Sequence, residues 1–146
     1  MSLEQWVNNG WLKLHHTSAQ EIRELFKGVS EDLENAQKDL SAGWKFAIAY
    51  NAALRLCSIL LYLSGYRAVR DQKHYRSIAA LPLISGDEIK EISDYLDRCR
   101  VKRGEITYES ISVVSQKEAE ELIKTVQDLH RIVVKWVEDN HPGFIS

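Results

Sequence analysis

Within one short stretch, Tyr95-Leu-Asp-Arg-Cys-Arg-Val-Lys-Arg-Gly-Glu-Ile-Thr-Tyr108, the chain places four cations: Arg98, Arg100, Lys102 and Arg103. Guanidinium groups are always charged and present a planar fork that matches phosphate oxygens, so anion binding is the chemistry this cluster could do. Arg103 stands out. The apolar positions Ile89, Ile92, Leu96 and Cys99 follow helical spacing, and Arg103 is the next position on that seam. An unpaired guanidinium on the core side of a helix is costly to desolvate, so Arg103 is expected to point inward and meet a partner or a ligand. Tyr108 could bring a phenol to it. Arg98, Arg100 and Lys102 also have a simpler reading, because cations are favoured at a helix C-terminus by the macrodipole.

A second polar group lies on a segment that is otherwise apolar. Asn51, Arg55 and Tyr62, with Ser58 between them, recur about every fourth residue and draw a polar line along one helix face. They could line a cleft, or form a hydrogen-bonded network with Asp or Glu of a neighbouring helix that fixes its register. His74, in the basic run Lys73-His-Tyr-Arg76, is a candidate anion contact. His130 flanks an apolar stripe and reads as a core histidine, whereas His15 and His16 look exposed. No Ser–His–Asp set, paired carboxylates or glycine-rich phosphate loop can be assembled from spacing. Cys57 and Cys99 sit among apolar neighbours and are expected to be buried free thiols. No CxxC or HExxH spacing occurs, so neither a metal nor another cofactor is expected.

The elements that must position these groups are helical. Ser18–Glu21, Ser85–Glu88 and Ser115–Glu118 each have the Ser-x-x-Glu form of a capping box and are read as helix starts. After the first, Ile22, Leu25, Phe26, Val29, Leu33, Ala36 and Leu40 form one face, with acidic residues mostly opposite. The segment Ala42 to Leu63 is apolar nearly all round, ends before Gly65, and should be the most buried helix. A shorter helix is expected around Tyr75 to Leu83. The last helix carries Ala119, Leu122, Val126, Leu129, Val133, Trp136 and Val137, and Pro142 closes it. Trp6 and Trp11 are assigned to a small capping helix, and Ile106 to Val114 to a loop. The expected fold is all-α: an antiparallel up-and-down bundle of about four long helices with short extra ones, in a single domain over 1–146.

Composition agrees with this. The 146 residues are 45% hydrophobic and 27% charged, with only 2 prolines and 7 glycines. That profile suits a globular domain built from long regular elements. The formal net charge of −2 argues against general electrostatic attraction to nucleic acid, so any anion site must be local. No secretory signal is read at Met-Ser-Leu-Glu-Gln-Trp. The most apolar run, Leu56 to Leu63, falls short of the roughly 20 residues of a membrane span. A cytoplasmic protein with no membrane association is expected.

Several of these motifs occur together in an order that resembles the HEPN superfamily, nucleotide-binding helical domains of higher eukaryotes and prokaryotes. They are Tyr50-Asn-Ala-Ala-Leu-Arg55, Leu63-Ser-Gly-Tyr-Arg67, His74-Tyr-Arg76-Ser-Ile, the stretch from Arg98 to Tyr108, and the ending His141-Pro142. The resemblance spans about residues 20 to 142. It implies RNA or nucleotide binding centred on Arg103, with Arg100 and Tyr108 assisting, Arg98, Lys102 and His74 nearby, and Asn51 and Arg55 lining the same cleft. It also implies a toxin–antitoxin or defence setting, a minimal nucleotidyltransferase partner, and a homodimer with both Arg103 residues near the interface. Many such domains are metal-independent ribonucleases with an arginine followed after four to six residues by a histidine. Here Arg103 matches the arginine, but Gly104 and Tyr108 stand at the polar and histidine positions. A phenol with a reference pKa of about 10 is a poor proton shuttle. The resemblance therefore implies a degenerate or weak ribonuclease site, in which Arg103 would stabilise phosphorane charge and Tyr108 would place the 2′-hydroxyl. The alternative is a non-catalytic interaction module that dimerises and recruits a partner.

Overall fold

The computed structural model describes residues 1–107 and 113–144. Its elements run α1 (Leu3–Asn8), β1 (Leu12–Leu14), α2 (Ala19–Ala36), α3 (Ala42–Leu63), β2 (Tyr66–Ala68), α4 (Lys73–Ala79), α5 (Leu81–Ser85), α6 (Lys90–Gly104) and α7 (Gln116–Asn140), with 3-10 turns at Asp87–Ile89 and Pro142–Phe144. The fold is an all-α bundle, as the apolar periodicity requires. Four long helices, α2, α3, α6 and α7, carry it, and the short elements gather at its flank.

Helix α3 is the axis. Its apolar residues cover most of its circumference, so burying only one face would leave the others in water. The fold answers by packing α2 and α7 along it, with α4 and α6 on the remaining side. Phe46, Ala49, Ala52, Ala53, Leu56, Ile59 and Leu60 are all buried. The alanines let neighbouring backbones approach, and each fully buried leucine or isoleucine contributes about 1.5–3 kcal/mol. By length and composition α3 could cross a membrane, but 61% of its most apolar window is buried inside the fold. It is the core helix of the bundle. After Ser64 the chain leaves through Gly65 at φ +95°, a conformation that a side chain would strain.

The capping boxes divide three ways. At Ser115 both halves form: Glu118 N–H donates to Ser115 Oγ at 3.1 Å, and Ser115 N–H donates to Glu118 Oε1 at 3.0 Å. At Ser18 only the serine half forms, because the Glu21 carboxylate turns away to Thr17 Oγ1 and His15 Nε2, each at 2.7 Å. Ser85 caps nothing. It ends α5, Gly86 follows at φ +97°, and α6 begins at Lys90 without a side-chain cap. The expected helix over Tyr75 to Leu83 is two helices, because Pro82 opens the second and cannot continue the first. Leu12, Lys13 and Leu14 pair antiparallel with Ala68, Arg67 and Tyr66. This small ribbon was not foreseen, since three-residue strands show no alternation long enough to read. Trp6 lies on α1 as expected, while Trp11 lies just beyond it and meets Trp6 edge-on, centroids 5.7 Å apart. The segment 108–112, most of the expected loop, is outside the described residues.

Candidate anion-binding site

The cationic end of α6 splits according to helical geometry. Residues 98 and 102 are one turn apart on one face; residues 100 and 103 share the opposite side. Lys102 turns toward α7, where its Nζ lies 3.6 Å from Glu118 Oε2. Arg98 is exposed beside Tyr95, its guanidinium carbon 5.7 Å from the ring centroid. Both line a small hollow together with Glu118 and Glu121.

Arg100 faces the other way, into an open cavity of about 350 Å³ lined by Arg70, Gln72, Lys73, His74, Tyr75 and itself. The sequence builds this wall locally. Val69 N–H donates to Trp11 C=O at 3.0 Å, tying the end of β2 to the start of β1. The chain then turns through Gln72, at φ +58°, into α4. Arg76 lies over the Trp11 ring at 4.2 Å and holds the first turns of α4 against the ribbon. Packing of α4 on α6 brings His74 and Tyr75 alongside Arg100. Arg100 is steadied from two directions: Nε donates to Asp97 Oδ1 at 2.8 Å, and the guanidinium carbon sits 5.4 Å from the Tyr75 centroid.

None of the six lining residues is acidic, although the chain as a whole carries a net negative charge. The titration of His74 reports the resulting field. Burial lowers its pKa, and the charges of Lys73, Arg100 and Arg103 lower it further. Its ring stands edge-on to Tyr50 of α3, centroids 6.1 Å apart. The Tyr50 hydroxyl is buried and has no hydrogen-bond partner among the described residues. Burial chiefly raises its pKa, so the phenol stays protonated and can donate but not act as a base. The arrangement can hold an anion against several donors. It offers His74 alone, among the groups described around the cavity, as a proton carrier near neutral pH.

The remaining expected residues are distributed differently. Arg103 is half-buried at the end of the α6 seam, close enough for its charge to act on His74, and forms no salt bridge with a described residue. The expected contact with Tyr108 lies outside the described residues. Asn51 is exposed on α3. Arg55 turns to α2: its Nε donates to Asp32 Oδ2 at 3.0 Å, and its side chain lies across Gly28. Further along the same polar line, the Tyr62 ring meets His15 at 4.2 Å. Of this line, Arg55 ties α3 to α2 and Tyr62 meets the segment before α2, and none of these residues lines the basic cavity. Arg70, Gln72 and Tyr75 were not singled out by sequence. The signal available was the three-residue spacing of Arg67, Arg70, Lys73 and Arg76.

A larger groove of about 570 Å³, between α5 and α7, is lined by Ile89, Ile132 and Trp136 with Glu88, Arg131 and Lys135 at its edges. Its charges are mixed, so it concentrates no potential. Among the described residues no group of three or more His, Cys, Asp or Glu could hold a metal ion. Compared with models of known families, with curated proteins and with solved structures, the chain matches none.

Proposed function

We propose that this HEPN-like bundle binds the phosphate groups of RNA or a nucleotide at the basic cavity between α4 and the end of α6. The observation that carries this reading is the local excess of positive charge: Arg70, Lys73 and Arg100 line the cavity with no carboxylate in its lining, and of the three only Arg100 is paired among the described residues, with Asp97. Arg103 adds to the same field. Forked guanidinium donors suit phosphate oxygens, and Tyr75 and His74 offer faces for a base. A cytoplasmic location is part of this proposal, and the free thiols Cys57 and Cys99 are compatible with it.

Fluorescence anisotropy with labelled single-stranded RNA is the test. Wild type should bind weakly, with affinity falling as salt rises. Arg100→Gln and Arg103→Ala should each weaken binding about tenfold, since a charge-assisted hydrogen bond contributes roughly 1.5 kcal/mol or more. RNA should remain largely uncleaved by wild type. Robust cleavage lost in Arg103→Ala would replace this reading with a ribonuclease.

The groove between α5 and α7 favours a second reading, an interaction module that takes a second copy or a partner such as a minimal nucleotidyltransferase. Ile132 is 39% exposed there, beside Trp136. Binding of no RNA by any variant, with a dimer mass by light scattering, would favour it.

A further inference from the structure

Several cations of this protein are answered by carboxylates. Lys27 meets Glu31, Lys90 meets Asp94, Lys102 meets Glu118, and Lys135 meets Asp139, each within 4.0 Å. The run that begins on the two-stranded ribbon has a feature of its own, two cations set opposite each other. Lys13 and Arg67 are directly paired across β1 and β2, both exposed on the outer face, while Leu12 and Ala68 face inward. Like charges opposite one another on a strand pair are destabilising, and neither has a salt bridge among the described residues. Arg70 and Lys73 follow at three-residue intervals, also without a salt bridge among the described residues, and both line the cavity. Asp71 is the one carboxylate between residues 66 and 76. Three residues of chain span at most about 10 Å, so the backbone of Arg67 lies no farther than that from Arg70 in the cavity wall.

We infer that the ribbon carries a second phosphate subsite, formed by Lys13 and Arg67 and continuous with the cavity through Arg70, so that the preferred ligand is an extended single strand with several phosphates rather than a mononucleotide. This rests on the proposed function of the cavity and adds the class of ligand it takes. The strain of placing Lys13 beside Arg67 is relieved when a bridging phosphate sits between them. The ribbon is tied to the cavity wall by the Val69–Trp11 hydrogen bond and the Arg76–Trp11 stack, so the two subsites keep a fixed separation. Two subsites on one rigid surface convert the second contact into an intramolecular one.

The experiment compares adenosine monophosphate, a uridine trinucleotide and a uridine dodecanucleotide against wild type and the double variant Lys13→Gln/Arg67→Gln, across a salt series. The dodecanucleotide offers about ten registers of the trinucleotide, so wild type should prefer it by clearly more than about tenfold. In the variant that preference should fall to about tenfold, and the salt slope should drop by about 1.4, the loss of two single-strand phosphate contacts. Both positions are exposed, and circular dichroism checks that the variant folds. A wild-type preference no greater than the register count, or a variant that keeps the full preference, overturns the second subsite while leaving the cavity reading intact. Failure of wild type to bind any of the three ligands overturns both.

Discussion

His74 is the side chain whose proton reports most directly on the basic cavity. Burial and the cations Lys73, Arg100 and Arg103 hold its folded pKa below the ordinary imidazole value of about 6.5. The unfolded chain therefore binds the proton first as pH falls. Stability from this group is present above about pH 6.5 and declines as pH drops through that value toward the folded pKa. His130 works in the same direction, through burial and Arg131. A bound anion would offset the cationic field and raise the His74 pKa. Histidine-resolved NMR titration should show His74 titrating low in the free protein and moving up when sulfate, which does not itself titrate in this range, is added. A His74 that titrates at the ordinary value and ignores sulfate would count against a positive cavity. The sequence shows only the neighbouring Lys73; the burial and the effect of Arg100 and Arg103 depend on how the helices pack, with α6 beside α4.

Among the elements, the α2–α3 pair shows how a motif can be legible in type and misplaced in role. The polar line Asn51, Arg55, Tyr62 was visible from spacing, but which neighbour it faced depended on how α3 rotates in the bundle. Arg55 crosses Gly28 closely enough that a Cβ there would stand 2.7 Å from its Cζ. Asp32 opposite is largely buried, and that burial raises its pKa against the lowering effect of Arg55. Gly28→Ala should therefore expel Arg55 and strand the Asp32 carboxylate, outweighing the roughly 1 kcal/mol that alanine gains over glycine in a helix. In an Arg55→Ala background the same change should become stabilising by up to about 1 kcal/mol. Urea unfolding of the four proteins reads the sign reversal. Stabilisation by Gly28→Ala in both backgrounds would show that Arg55 moves aside freely. At Ser85 the sequence pattern of a cap was present but Pro82 and Gly86 had already set a short helix and a break, so local rules competed and the breakers won.

For the molecule as a whole, the bundle was the most legible level. The long helices emerge from periodicity because each must bury an apolar stripe, and the expected span of α3, about Ala42 to Leu63 ahead of Gly65, agrees with the observed one. The short ribbon was illegible, yet it joins the N-terminal segment to α4 and so shapes the cavity wall. Of the cavity lining, the α6 cluster supplies Arg100, and His74 was legible as a candidate anion contact. That Arg70 and Lys73 join Arg100 is shown only by the packing of α4 on α6. Arg98 and Lys102, adjacent in sequence to Arg100, are carried to a different face by the helix itself.

Binding of phosphate groups between α4 and the end of α6 can be mapped by amide shifts in isotope-labelled protein titrated with adenosine monophosphate. Saturable shifts should be confined to residues 69–76 and 97–104 and weaken in Arg100→Gln. Shifts clustered instead around Ile89, Ile132 and Trp136, or none at millimolar ligand, would contradict it.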